Sequence, residues 1–182
     1  MQIEQEDYDK CIAYTTRNAK GGKAPFAWEL SYRFGPRVSG CARITAEDVY
    51  LDVNGRFGFG QIRFCEKGNR ERMVDIRTVE DRDFIENLIK ANSKGEPLIG
   101  IKDGSINRAL NRTLTALGLK SKYPKTSIHG LRKLYAGRCW DDNCANGLTY
   151  MENVMYVNKQ LGHGVLRNVR LLKVYVTHME KY

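Results

Sequence analysis

The three histidines of this chain lie at or near one stretch, residues 126–175, which also carries an arginine and several tyrosines. His129 and Arg132 are three residues apart, a spacing that places both side chains on one face of a helix. His163 follows Gly162, and a residue without a side chain lets the backbone approach a ligand closely. Imidazole, guanidinium and phenol groups together can cut a phosphodiester without a metal ion, so this stretch could support phosphoryl transfer.

Taken singly, each of these residues has an ordinary structural explanation. His129 could cap a helix or fill a gap in the core, Arg132 could pair with a carboxylate, and His163 could belong to a loop. Tyr175 could be an amphipathic tyrosine of the core. The chemical interpretation therefore depends on the fold bringing these groups together, with further basic residues from elsewhere in the chain.

The composition indicates one soluble domain with a polyanionic partner. The 182 residues are enough for a single domain with a substantial core, and a hydrophobic fraction of 42% with 28% charged residues is typical of soluble globular proteins. A net charge of +9 indicates nucleic acid as the commonest partner, although charge that only maintains solubility is equally compatible.

The five cysteines are scattered and form no CxxC pair, which favours reduced thiols over a zinc site. No apolar run has the length of a membrane span, and the N-terminus has no signal-peptide pattern. We therefore expect no metal, no cofactor, no membrane association and a cytoplasmic location.

Hydrophobic periodicity predicts an α+β fold that is mainly helical, with helices packed around a small three-stranded antiparallel sheet. The first helices are expected at residues 6–20, 26–33 and 37–42, which places Arg37 at a helix N-terminus, where backbone N–H groups attract phosphate. The strands are expected at 49–53, 60–65 and 72–76, with Asn54-Gly55 as a tight hairpin turn between the first two and Lys67 at the tip or flank of the second hairpin.

The second half of the chain is predicted to be helical. One helix begins with capping chemistry at Thr78, a second is capped by Ser105, and a third is capped by Ser127 and carries His129 and Arg132. A polar loop is expected at residues 141–147, followed by helices at 148–161 and 168–180.

Five short motifs follow one another along residues 26–178. The segment GPRVSG spans residues 35–40, CEKGNRER spans 65–72, HGLR spans 129–132 and LGH spans 161–163, and a tyrosine follows in the terminal helix. In this order they resemble the first-arginine, hairpin-lysine, HxxR, second-histidine and nucleophile motifs of the tyrosine recombinases, the phage integrase family. Each motif alone is weak, but five in order on a matching pattern of elements are fairly specific.

The resemblance implies the catalytic-domain fold of that family and a covalent mechanism. Tyr175 would attack the scissile phosphate and form a phosphotyrosine link to the DNA 3′ end. Arg37 and Arg132 would bind the non-bridging oxygens and stabilise the charge that develops in the transition state.

The remaining roles implied by the resemblance concern protons. Lys67 would protonate the departing 5′ oxygen, and His129 would help to take the proton of the tyrosine. His163 would donate a hydrogen bond to the phosphate. The family uses neither a metal ion nor a cofactor.

The chain departs from the family pattern in several places. Gly40 stands where an acidic residue often follows the first arginine, and Lys133 stands where a histidine is common. The segment between Arg132 and the second histidine motif looks slightly long. The gap between His163 and Tyr175 is a few residues longer than usual, which makes Tyr182 the alternative nucleophile.

As a whole, the resemblance implies a site-specific DNA recombinase or integrase of a mobile element. Its partner would be double-stranded DNA, bound by a homotetramer on paired sites, with possible accessory DNA-bending proteins. Residues 1–182 would form a single catalytic domain, without the N-terminal core-binding domain that the family usually carries, so the chain would be part of a longer protein or a minimal member. The alternatives are a DNA-binding module of the same fold that has lost catalysis, and an enzyme like a type IB topoisomerase or telomere resolvase.

Overall fold

The computed structural model describes residues 1–18, 22–66, 68, 70–164 and 169–179. Within these ranges the chain forms helices around a small sheet, as the sequence predicts. The elements are α1 (Gln5–Asn18), α2 (Ala24–Phe34), α3 (Val38–Arg43), β1 (Val49–Tyr50), β2 (Gln61–Glu66), β3 (Arg70–Asp75), α4 (Val79–Lys90), α5 (Asp103–Ala116), α6 (His129–Ala145), α7 (Tyr150–Gln160) and α8 (Val169–Tyr175), with a 3-10 turn (Ala46–Asp48) before β1.

The three strands form an antiparallel sheet in the order β1-β2-β3, which confirms the predicted meander. Val49 pairs with Ile62, and Phe64 pairs with Arg72. Alternate residues of β2 are buried, namely Ile62, Phe64 and Glu66. Because side chains alternate across a strand, this pattern shows that one face of the sheet packs against the protein and carries a carboxylate inward with the apolar residues.

The predicted tight hairpin at Asn54-Gly55 is wrong, because β1 ends at Tyr50 and β2 begins only at Gln61. The connecting loop is held by contacts with β3 instead of by a short turn. Asp75 Oδ1 accepts hydrogen bonds from the Arg56 N–H (3.4 Å) and Gln61 Nε2 (2.8 Å). These distant partners lie beyond the reach of a local turn signal.

The first residues of α4 and α5 test the helix caps predicted at Thr78 and Ser105. Helix α4 begins as predicted, with Thr78 Oγ1 accepting from the Asp81 N–H (3.1 Å). Ser105, however, is not the cap of α5, because the helix begins earlier, at Asp103, whose negative charge suits a helix N-terminus. The Oγ of Ser105 accepts from Arg108 Nη2 (3.0 Å) instead.

The predicted polar loop at residues 141–147 is helical as far as Ala145. Asn143 is buried, and its Nδ2 donates to Asn153 Oδ1 (2.9 Å). The Nδ2 of Asn153 in turn donates to the Trp140 carbonyl (2.9 Å). Because Asn143 has a buried partner on the facing helix α7, this segment continues α6, although its composition alone favours a loop.

Helix α6 lies at the centre of the molecule, in contact with α2, α7 and α8, while α3 and α7 pack on the sheet. The largest fully buried side chains include Trp28, Trp140, Tyr135 and Phe34. Arg132 belongs to the same fully buried set, although it carries a charge. A fully buried guanidinium requires several hydrogen-bond partners.

Candidate active site

Helix α6 places His129 and Arg132 at its first turn. Ser127, the predicted cap, lies one residue before the N-cap Ile128, and its Oγ accepts from the His129 N–H (3.3 Å). Arg132 points inward and has an exposed fraction of 0%, whereas His129 keeps an exposed outer edge. Both side chains reach the same phenol, that of Tyr175, so the helical spacing brings them to one place.

Arg132 ties three segments of the chain together. Its Nη1 donates to the Gly35 carbonyl and lies 3.4 Å from Glu66 Oε1, and its Nη2 donates to the Leu161 carbonyl (2.6 Å). These partners lie after α2, at the end of β2 and after α7. Its Nε is buried and has no hydrogen-bond partner among the described residues. An anion could accept from this N–H group once the residues that cover it move aside.

Arg37 is the N-cap of α3 and sits beside the same carboxylate. Its backbone N–H donates to Glu66 Oε1 (2.8 Å), and its Nε lies 3.4 Å from Glu66 Oε2. The side chain is 40% exposed, in contrast to that of Arg132. One edge of the Arg37 guanidinium is thus anchored on Glu66 while the rest faces solvent, as a phosphate-binding arginine requires.

Tyr175 is the last residue of α8 and packs among three of the predicted site residues. Its ring centroid lies 5.3 Å from that of His129 and 5.1 Å from that of His163. The Arg132 guanidinium carbon lies 5.7 Å from the same centroid. Tyr175 is 5% exposed. Groups from the first turn of α6 and from the segment after α7 therefore meet at a side chain of α8.

Both histidines of the site are neutral at physiological pH. Burial, together with the positive charges of Arg132 and Arg37, lowers the pKa of His163 to about 4. Desolvation and the charges of Arg132 and Lys133 lower the pKa of His129 to about 4 as well. A neutral imidazole can accept a proton, and each ring also keeps one N–H that can donate to an oxygen. The Nδ1 of His163 is buried without a partner among the described residues.

The third histidine lies outside this group. His178 pairs through Nε2 with Asp141 Oδ1 (2.7 Å) on α6. Two residues named by the resemblance, Lys67 as proton donor and Tyr182 as alternative nucleophile, lie outside the described residues. Their roles stay predictions.

Two buried residues of the site were missed by the sequence analysis, Glu66 and Arg72. Arg72 donates through Nη2 to the Gly35 carbonyl (2.8 Å), through Nη1 to the Gln160 carbonyl, and through Nε to Glu66 Oε1 (3.3 Å). Burial and the charge of Arg132 lower its pKa to about 10, so it remains protonated at neutral pH. A sequence feature that points to Glu66 lies in β2, where this residue follows Ile62 and Phe64 on the buried face.

The charges of this cluster do not cancel. Three guanidinium groups (Arg37, Arg72 and Arg132) surround one carboxylate (Glu66), which leaves two positive charges beside two neutral imidazoles. A surplus of buried positive charge is costly unless an anion completes the site. The arrangement is therefore suited to a phosphate group.

Hollows elsewhere on the surface are not part of this cluster. One of about 510 Å³ is lined mainly by α7, and another of about 580 Å³ lies along α5. Neither is lined by a predicted site residue. Among the described residues, no helix combines the length and apolar character needed to cross a membrane.

Gly162 is required by the packing of Arg72. Its φ is +66°, and a Cβ there would lie 2.8 Å from Arg72 Cδ, which is fixed at the far end by three hydrogen-bond acceptors. The sequence motif predicted a ligand beside this glycine, whereas the structure shows a close side-chain neighbour.

We expect Gly162→Ala to lower the melting temperature more than Gly118→Ala does. Both positions have positive φ, but nothing lies within 4 Å of a Cβ at Gly118. The backbone penalty of about 1–2 kcal/mol is therefore shared, and the extra loss of about 1–3 kcal/mol at Gly162 reports the clash with Arg72. Thermal unfolding of the two variants tests this, and equal losses would show that Arg72 moves aside freely.

No protein-family model and no curated protein matches the sequence. Solved structures do match its fold. XerH site-specific recombinase bound to its DNA substrate matches with a TM-score of 0.69 and 14% identity, over 99% of this chain and 51% of that chain. A lambda integrase tetramer bound to a Holliday junction matches with a TM-score of 0.66 and 15% identity, over 100% and 49%. The lambda integrase catalytic core matches with a TM-score of 0.64 and 18% identity, over 93% and 94%.

The chain thus has the fold of the tyrosine recombinase catalytic domain, as the sequence motifs indicated. It spans about half the length of the XerH and tetrameric integrase chains and nearly all of the isolated catalytic core.

Proposed function

We propose that this chain is the catalytic domain of a site-specific DNA recombinase that cleaves and rejoins DNA through a 3′-phosphotyrosine intermediate. The observation that carries the proposal is the convergence on Tyr175 of His129 and Arg132 from α6 and of His163 from the segment after α7, in a fold shared with recombinases. A DNA-binding module without catalysis would not need these groups to meet at a phenol.

The phosphate would be held by the arginines. The exposed part of Arg37 and the unpartnered Nε of Arg132 offer N–H donors to its non-bridging oxygens, and His163 offers a third donor. Charge builds up on these oxygens as the fifth phosphorus–oxygen bond forms, so donors fixed in advance stabilise the transition state more than the ground state. The two positive charges that Glu66 leaves uncompensated also stabilise this developing negative charge.

The covalent step exchanges one phosphoester for another. Tyr175 Oη forms a bond to phosphorus, the bond to the 5′ oxygen breaks, and the phosphate remains attached to the DNA 3′ end. His129, neutral at physiological pH, accepts the phenolic proton, and Lys67 supplies a proton to the 5′ oxygen. Rejoining is the reverse: a 5′ hydroxyl attacks the phosphotyrosine.

Helix α5 provides a polar surface beside the site. Asn107 Oδ1 accepts from the Ile128 N–H (3.0 Å), and Asn111 Nδ2 donates to the Thr126 carbonyl (3.4 Å), so α5 is fixed to the segment that leads into His129. Arg108 and Arg112 project from the exposed side of this helix. Arginines beside a phosphate-cleaving site are expected to contact the flanking DNA.

We expect Arg108→Ala/Arg112→Ala to weaken binding to duplex DNA and to reduce the slope of log affinity against log salt by about 0.9 for each phosphate that the variant no longer neutralises. The matched control is Lys90→Ala/Lys94→Ala, which removes the same charge at exposed positions at and beyond the end of α4. Titrations at several salt concentrations measure both. Equal slopes for the two double variants would rule out α5 as a DNA-contacting helix.

Assembly is proposed by analogy with the matched structures. One of them is a tetramer on a Holliday junction, and we propose that this protein also acts as a homotetramer on paired DNA sites. A core-binding domain elsewhere in a longer protein and accessory DNA-bending proteins stay predictions.

The direct test is covalent capture. In a duplex with a nick close to the cleavage site, the short fragment that carries the new 5′ hydroxyl diffuses away after attack, so rejoining is prevented and the protein–DNA adduct accumulates. Digestion of the adduct and mass spectrometry then locate the nucleotide-bearing tyrosine. We expect it in the peptide that contains Tyr175, and a folded, DNA-binding protein that never forms an adduct would favour the non-catalytic alternative. Relaxation of supercoiled plasmid without a specific site would favour the topoisomerase-like alternative.

A further inference from the structure

One buried carboxylate lies among the three guanidinium groups of the candidate site. Glu66 Oε1 accepts from the Arg37 N–H (2.8 Å), from Arg72 Nε (3.3 Å) and from Arg132 Nη1 (3.4 Å). Its Oε2 faces Arg37 Nε at 3.4 Å. The residue is 4% exposed. Both oxygens are occupied by cationic donors, so the carboxylate itself is not placed to touch a substrate phosphate.

The carboxylate comes from the end of β2 and not from α3. Helix α3, which Arg37 caps, contains no acidic residue, and Gly40 occupies its buried side. A Cβ at Gly40 would lie 3.5 Å from Glu66 Cγ and 3.2 Å from Pro36 Cβ. The missing side chain on α3 therefore leaves the space into which Glu66 reaches from the end of β2.

Without this carboxylate, the arginines would face one another uncompensated. Like charges at these distances repel strongly in a buried environment, and each guanidinium would turn toward solvent or toward other acceptors. Among the described residues, the Arg37 guanidinium would lose the carboxylate that holds it, since Nε lies 3.4 Å from Glu66 Oε2 and the backbone N–H donates to Oε1 of the same residue.

We infer that Glu66 is the positioning residue that orients Arg37 and Arg132 toward the scissile phosphate, and that it does so from β2 in place of an acidic side chain on α3. The inference rests on the proposed function. It assigns to Glu66 no contact with the reacting atoms: the carboxylate acts through the two arginines. A merely structural ion pair would stabilise the fold without affecting the chemical step.

The first measurement is the single-turnover rate of adduct formation at saturating DNA. Glu66→Gln keeps the size of the side chain and an oxygen acceptor but removes the charge, and we expect a loss of about 10²–10³-fold. DNA affinity should not fall, because both arginines keep their positive charge. Glu71→Gln is the matched control: this exposed residue of β3 lies 3.9 Å from Arg63, and its variant should react at the wild-type rate.

A second substrate separates positioning of the phosphate from supply of a proton. When sulfur replaces the bridging 5′ oxygen, the leaving thiolate needs no proton, because the pKa of a thiol is about 8.5. The loss caused by Glu66→Gln should persist on this substrate, since the defect lies in holding the phosphate. Loss of a proton donor would be corrected by the sulfur, and correction in the Glu66→Gln variant would overturn the inference.

A double variant that moves the carboxylate from position 66 on β2 to position 40 on α3 tests the geometry. Glu66→Ala removes the carboxylate and opens the space beside Gly40, whose backbone has no positive φ. Adding Gly40→Glu to that variant returns a carboxylate from α3, and we expect at least a tenfold recovery of the adduct rate. A folded double variant no faster than Glu66→Ala would overturn the inference.

Melting temperatures accompany every variant, so that unfolding is not mistaken for a catalytic defect. If the folded Glu66→Gln protein reacts at the wild-type rate, only this inference falls. If the wild-type protein itself forms no adduct, the proposed function fails and the inference falls with it.

Discussion

Tyr175→Phe is expected to abolish covalent capture of DNA while leaving the fold and the DNA affinity close to those of the wild-type protein. The phenyl ring keeps the packing against His129, His163 and Arg132 that buries this side chain. Only the hydroxyl that attacks phosphorus is removed. Adduct formation on a nicked duplex should fall to background, whereas thermal unfolding and binding titrations should change little.

Tyr182→Phe is the matched control for this experiment. It removes the same hydroxyl from the other tyrosine that follows His163 closely enough to compete for the role. We expect wild-type adduct formation from this variant. The opposite result, with Tyr182→Phe inactive and Tyr175→Phe active, would transfer the nucleophile to the end of the chain and make Tyr175 a packing residue of the site.

The parts of the fold that the sequence predicted are those encoded by local signals. Thr78 begins α4 because its side chain caps the helix, and the alternating residues of β2 predict a strand with one buried face. The grouping of His129, Arg132, His163 and Tyr175 was predicted from the order of motifs, and the structure brings these four together. Their catalytic roles stay predictions.

The parts that were mispredicted depend on partners far away in the chain. The Asn54-Gly55 pair has the composition of a hairpin turn, but Asp75 holds the loop in a longer path. Residues 141–145 have the composition of a loop, but Asn153 supplies the buried hydrogen bond that keeps them helical. Local propensity is a weak prior, and such tertiary contacts override it.

Glu66 and Arg72 were missed for a related reason. A glutamate beside a lysine in a hairpin motif is usually solvated, and only the register of the sheet turns both residues inward. Once inward, Glu66 links Arg37 and Arg132, and Arg72 donates to the same carboxylate. A charged residue in the buried phase of a strand is therefore the sequence feature that supports a functional hypothesis here.

Arg132→Lys is expected to reduce adduct formation by at least about 10²–10³-fold, although it keeps the positive charge. An ammonium group cannot reproduce the planar set of donors that reaches the Gly35 and Leu161 carbonyls and leaves Nε for the phosphate. Arg132→Ala should in addition destabilise the protein by about 2–5 kcal/mol, because it opens a cavity at a fully buried position and removes the donor to the Leu161 carbonyl.

Arg138→Lys is the matched control, because Arg138 lies on the same helix and donates to the Tyr32 carbonyl (3.3 Å), away from the site. We expect this variant to lose some stability and to form the adduct at the wild-type rate. Single-turnover rates and urea unfolding of both lysine variants separate the two effects. If Arg132→Lys reacted as fast as the wild-type protein, the guanidinium would be a structural group at the centre of the fold, and phosphate binding would have to depend on Arg37 and the histidines alone.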